Sequence, residues 1–117
     1  MTINLKRAYE PSATPDGYRV LVDRLWPRGI SKEKANIGLW LKDVAPSDEL
    51  RKWFGHDPER WPEFRTKYRD ELASRKELLK ELRRLEAEHK TVTLVYAAKD
   101  ETRNNAVVLK DLLDGTD

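Results

Sequence analysis

Two short apolar runs, "RVLVDRL" at 19–25 and "TVTLVYAA" at 91–98, constrain this chain more than any other feature. The first sets Val20, Leu21 and Val22 in succession, two of them β-branched, as a strand covered on both faces requires. The second has the same character. Helical periodicity lies between and after them, and strands separated by helical patterns imply βαβ units with a mostly parallel sheet. The expected fold class is therefore α/β: one small domain over 1–117, with a mostly parallel sheet of three to four strands flanked by helices, one of them long. The runs at Val20–Val22 and Leu94–Tyr96 should be adjacent and parallel, in two or three layers.

The remaining elements are weaker. "INLKRAY" alternates Ile3, Leu5, Arg7 and Tyr9 on one face, a short strand signal. "EPSATPDGY" carries two prolines and Asp16-Gly17, the composition of an ordered loop. "IGLWLKDVAP" fits either a short strand or a helix stopping before Pro46. In "PSDELRKWFG", Ser47 is an N-cap, Asp48 and Glu49 suit the positive end of the helix dipole, and Gly55 ends the helix. From Pro62 to about Glu88, Trp61, Phe64, Tyr68, Leu72, Leu79, Leu82 and Leu85 recur at steps of three, four or seven, which predicts one long helix. At 1.5 Å per residue it would span roughly 40 Å. "NNAVVLKDLL" predicts a final helix with Val108, Leu109 and Leu112 inward.

Charged residues make up 38% of the 117, against roughly 25% in an average domain, so apolar side chains must be concentrated on a few faces. With 23 basic and 21 acidic side chains the net charge is only +2, which argues against a general nucleic-acid coat but not against a local basic patch. There is no cysteine, which excludes disulfides, thiolate metal sites and cysteine nucleophiles. No apolar run is long enough for a signal peptide or a membrane span, so the expectation is a cytoplasmic protein with no membrane contact.

In an open parallel sheet, ligands bind beyond the carboxyl ends of the strands. Two such ends are visible, "DRLWPRG" and "AAKDETRNN", and their adjacency would bring Asp23, Arg24 and Arg28 to Lys99, Asp100, Asn104 and Asn105. Arginine offers a planar fork for an oxyanion, and helix N-termini add free N–H groups. Candidate anion-binding residues are Arg24, Arg28, Ser47, Arg51, Asn104 and Asn105; candidate acid/base groups are Asp23 and His56. Each has a plainer alternative. Asp23 and Arg24 could simply close the sheet edge, His56 could cap carbonyls after Gly55, and Trp26 is read as core. His89, ending "EAEHK", is read as solvated. No glycine-rich phosphate loop, GxSxG motif or zinc-helix motif is present, and no metal or cofactor is expected.

The blocks "GYRVLVDRLWPRGISKEKA", "LWLKDVAPSDELRKWFGHDPERWPEF" and "TLVYAAKDETRNNAVVLKDLL" resemble the YeaO-like family of uncharacterised bacterial proteins, domain of unknown function 488, over nearly the whole chain. The resemblance implies a small cytosolic α/β protein with no established activity. Its shared motif positions would be Asp23, Arg24, Trp26, Pro27, Arg28, Gly29, Pro46, Ser47, Arg51, His56, Asn104 and Asn105. More distant relatives often carry Cys-His-Arg after the last strand. Arg103, Asn104 and Asn105 stand in that region here, so thiol chemistry does not carry over.

Two functions remain open. One is a pocket for a small anionic ligand, phosphate- or nucleotide-like, whose catalytic status no motif decides. The other is a non-catalytic nucleic-acid- or protein-binding module using "KRAY", "RKWF" and "ELLKELRRLE". The chain would be a monomer or a homodimer, the long helix being available to a second subunit. Convergence of Arg24, Arg28, Arg51 and Asn105 on one concave pocket would favour the small ligand; their spread over a convex face would favour the module.

Overall fold

A computed structural model describes residues 2–115. Strands β1 (Thr2–Arg7), β2 (Tyr18–Leu21), β3 (Leu39–Trp40) and β4 (Thr91–Tyr96) form one sheet in the order β1-β4-β2-β3. Every pairing is parallel, and Val20 lies opposite Leu94 while Leu21 lies opposite Val95. The two apolar runs are thus the central strands, as their composition requires. The helices are α1 (Lys32–Ala35), α2 (Asp48–Phe54), α3 (Trp61–Ala73), α4 (Lys76–His89) and α5 (Asn105–Asp114).

One face of the sheet carries Val20, Val22, Val92, Leu94 and Tyr96 into the main core, against Phe54, Phe64, Tyr68, Leu72, Leu82, Leu85 and Leu109 of α2–α5. On the opposite face Ala8, Leu21 and Val95 pack beneath Trp26, Ile30, Ile37 and Trp40, so loops and α1 cover it in place of a second helical layer. "IGLWLKDVAP" divides between its two readings: Leu39–Trp40 is a strand, and Lys42–Val44 a single 3₁₀ turn. In α5, Val108 and Leu109 are buried as expected, joined by Ala106 and Leu113, while Leu112 is only partly covered.

The helical stretch expected at Pro62–Glu88 is present but broken, into helices of 13 and 14 residues that meet at Ser74–Arg75. A straight helix of roughly 40 Å would overrun the molecule's longest dimension of 35 Å. At the break Arg75 turns back and donates to the carbonyls of Asp43 (3.0 Å) and Ala45 (2.6 Å). Tyr68 donates its hydroxyl to the Val44 carbonyl at 2.5 Å, and Glu71 accepts from the Ser47 N–H (2.9 Å) and hydroxyl (2.6 Å). Three side chains of α3 and the α3–α4 junction thus satisfy backbone groups of loop 43–47. That loop fixes where α2 begins, and with it Arg51.

A charged network is buried where the chain enters β2. Arg19, 2% exposed, donates to Asp16 (2.7 Å) and to the Ala35 carbonyl (2.9 Å). Lys6 reaches the same carboxylate at 3.1 Å, and the Thr93 hydroxyl donates to the Asp16 carbonyl at 2.6 Å. Burial works against the charge on Asp16. The Ala13 N–H, Lys6 and Arg19 outweigh it and hold the carboxyl below its ordinary value.

A candidate anion-binding site at the strand ends

Because the strands are parallel, their carboxyl ends open on one side of the molecule. Asp23, just past β2, stitches this edge together. Its two carboxylate oxygens accept from the Ala97 N–H (2.8 Å) and the Asn105 amide (3.2 Å), and its carbonyl accepts from the Trp40 indole (2.8 Å). Asn105 also donates to the Val22 carbonyl at 3.0 Å, tying the first turn of α5 to β2. Arg7 secures the β4–α5 loop from the other side, donating to the Ala98 carbonyl at 2.9 Å.

These elements surround a cavity of about 680 Å³, within the usual range of roughly 300–1,000 Å³ for small-molecule sites. Asp23, Arg24, Arg28, Arg51, His56, Asn104 and Asn105 all line it, joined by Lys99 and Asp100. Ser47 does not line it. Its hydroxyl caps α2, accepting from the Leu50 N–H at 3.1 Å, and is bound by Glu71, so its place in the structure is architectural. Asn104 touches the cavity but is itself 2% exposed: it caps α5 by accepting from the Val107 N–H and donates to the Asp100 carbonyl.

The four cationic side chains differ in their commitments. Arg24 donates to the Ala45 and Pro46 carbonyls at 3.4 Å and lies 3.8 Å from Asp48. Arg51 shares that aspartate at 3.4 Å. Arg28 and Lys99 have no side-chain partner among the described residues, and both are exposed. The two lining carboxylates are already matched. The Thr102 N–H, with further help from Arg103, holds Asp100 down to about 2. Burial lifts the Asp23 carboxyl above its ordinary value, against the downward pull of the Ala97 N–H, the Asn105 amide and the nearby His56.

His56 follows Gly55, and both residues have positive φ, 59° and 53°. For a residue with a Cβ this conformation is uncommon, and His56 lines the cavity with its ring centroid 6.1 Å from that of Phe54. Trp26, read as core, packs edge-on against Trp40 with ring centroids 5.4 Å apart, and it also lines the cavity. His89 is exposed, yet its ring stacks on Tyr18 at 4.1 Å. Tyr9, Leu25, Phe54 and Phe64 add apolar lining that the sequence does not single out. For Tyr9 a signal was available: it follows β1, a third strand whose end opens on the same side.

The raised Asp23 carboxyl gives a signed pH dependence. A carboxyl lifted on folding contributes most to stability when protonated, below about pH 4, and that contribution is lost as pH rises through the raised value. Asp23→Asn removes this term. The stability of the wild type relative to Asp23→Asn should therefore fall between pH 4 and pH 7 in paired thermal melts; a rise over that interval would mean that the carboxylate is stabilised by the fold.

Among the described residues no group of acidic or histidine side chains could hold a metal ion, and no helix is long and apolar enough to cross a membrane. A family model described as "Inactive DUF488-N3 subclade" matches residues 2–116. The uncharacterised protein Rv3073c of Mycobacterium tuberculosis is 47% identical over 113 residues, covering 97% of this chain and 94% of that protein. The uncharacterised protein YeaO of Escherichia coli is 45% identical over 113 residues, covering 97% of each. No solved structure matches the chain. With a family model spanning almost every residue and relatives this similar end to end, the chain belongs to the YeaO-like DUF488 family, in the subclade described as inactive.

Proposed function

We propose that this protein binds a small phosphate- or carboxylate-bearing ligand in the cavity at the strand ends, and that it does so without transforming it. The observation that carries this reading is the convergence of Arg24, Arg28, Arg51 and Lys99 on one concavity, two of them with no partner among the described residues. Arg28 and Lys99 take the anion; Arg24 and Arg51 add field; His56 offers a further donor. Asp23 serves as a positioning residue, since both its oxygens already bind the backbone and Asn105. With no cysteine in the chain and a subclade described as inactive, ligand binding accounts for the site more simply than catalysis does.

The nucleic-acid module is less well supported. Several cations on α3 and α4 are matched by their own neighbours: Arg84 with Glu81 (2.6 Å) and Glu88 (2.8 Å), Lys80 with Glu77 (3.5 Å), and Lys67 with Glu63 (3.2 Å). A face neutralised in this way releases few counterions on meeting a phosphate backbone.

Thermal melts of wild type and Arg28→Gln, with phosphate titrated at constant ionic strength, test the proposal. Without ligand the two should melt alike, because Arg28 is exposed and its side chain unpaired. Ligand at a hundredfold excess over Kd should stabilise the wild type by about 2.7 kcal/mol and the variant far less. The proposal fails if neither phosphate nor acetate, titrated in the same way, shifts the wild type more than sodium chloride at equal ionic strength.

A further inference from the structure

The cavity is not a simple anion hole, because its floor and rim differ in chemistry. Phe54, Phe64, Pro27 and Pro46 line it and are buried, whereas Arg28 and Lys99 line it and are exposed. The large hydrophobic side chains left exposed among the described residues are Tyr9 (46%) and Leu25 (64%), and both border this same cavity. In a chain with 38% charged residues, placing its exposed apolar groups around one concavity is a costly arrangement for a protein that binds only inorganic anions. Trp26 adds an aromatic surface to the wall, and the unpaired Arg28 guanidinium is a planar group that can stack as well as pair.

Resting on the anion-binding reading, we infer that the ligand is an aromatic monophosphate: a phosphate held at the Arg28–Lys99 rim, carried on a flat apolar ring that enters between Leu25 and the Phe54–Phe64 floor. The rim alone would hold a bare phosphate; the floor would give a ring somewhere dry to go. Burying about 60 Å² of ring surface corresponds to about tenfold in affinity.

Calorimetric titration of methyl phosphate and phenyl phosphate, two monoesters differing in the ring, tests this. Phenyl phosphate should bind wild type about tenfold more tightly. Leu25→Ser, a change at an exposed position, should remove most of that advantage while leaving methyl phosphate binding unchanged, and Arg28→Gln should weaken both ligands. Equal affinity of the two esters for wild type would overturn the aromatic assignment and leave the anion site standing. Loss of methyl phosphate binding in Leu25→Ser would show that the side chain shapes the anion site and would overturn the assignment equally. If neither ester binds, both readings fall.

Discussion

Asp16→Ala should destabilise the protein by about 3–5 kcal/mol, the usual cost of removing one partner from a buried ion pair. Arg19 is 2% exposed and donates to this carboxylate at 2.7 Å, so truncation strands a guanidinium with no route to water. Arg19 is also poorly placed to compensate, because its other terminal nitrogen already lacks a partner. The double variant Asp16→Ala/Arg19→Met should recover much of the loss, since the penalty lies in the unpaired charge. The pH dependence carries the opposite sign to that of Asp23. A carboxyl held below its ordinary value stabilises the fold above about pH 4 and loses that contribution as pH falls through the folded value. Chemical denaturation of the single and double variants at neutral pH measures the effect. If the single variant is as stable as wild type, the network is incidental.

Gly17→Ala should cost about 2–4 kcal/mol, from backbone strain together with overpacking. Gly17 has φ 64° and ψ −136°, a region open essentially to glycine alone. A Cβ there would lie 2.3 Å from the Thr91 carbonyl oxygen, so the entry to β2 would have to move away from β4. Gly29 is the control. Its φ is 81°, but a Cβ there meets nothing within 4 Å, so Gly29→Ala should show only the smaller conformational term. Equal losses at the two positions would show that the close approach to Thr91 does not matter.

These two corners show where the sequence was legible and where it was not. The pairing of β2 with β4 could be read directly, because uninterrupted β-branched runs have few other places to go in a chain of this charge. The Asp16–Arg19–Lys6 network is not legible in the same way. Asp16 looks like a turn residue, and the sign that Arg19 would be buried, a charge inside an apolar strand, has meaning only once a loop is known to cover that face. The break at Ser74–Arg75 was hidden for a similar reason: the step of seven from Leu72 to Leu79 keeps the stripe in phase across it. Where α3 ends, Arg75 meets the Asp43 and Ala45 carbonyls, a tertiary contact 30 or more residues away that no local pattern contains.

The site divides in the same way. Asp23, Arg24, Arg28, Lys99 and Asn105 line one cavity because strand-end geometry and chain order bring them together, and both are legible; His56 reaches it from the end of α2, where no strand-end argument places it. Ser47 lies elsewhere because a cap with a free hydroxyl hydrogen is a good donor for Glu71, which no local pattern reveals. The apolar wall of Leu25, Phe54 and Phe64 was missed because each reads as ordinary core or linker until the concavity exists.

The most direct test of the anion site is a phosphate titration followed in ¹H–¹⁵N correlation spectra at constant ionic strength. A phosphate site at the strand ends gives saturable shifts with one common Kd in the Arg28 side chain and in the backbone amides of residues 97–105, with Asp16 and His89 unmoved. Small, linear, unsaturating shifts scattered over the surface would contradict it.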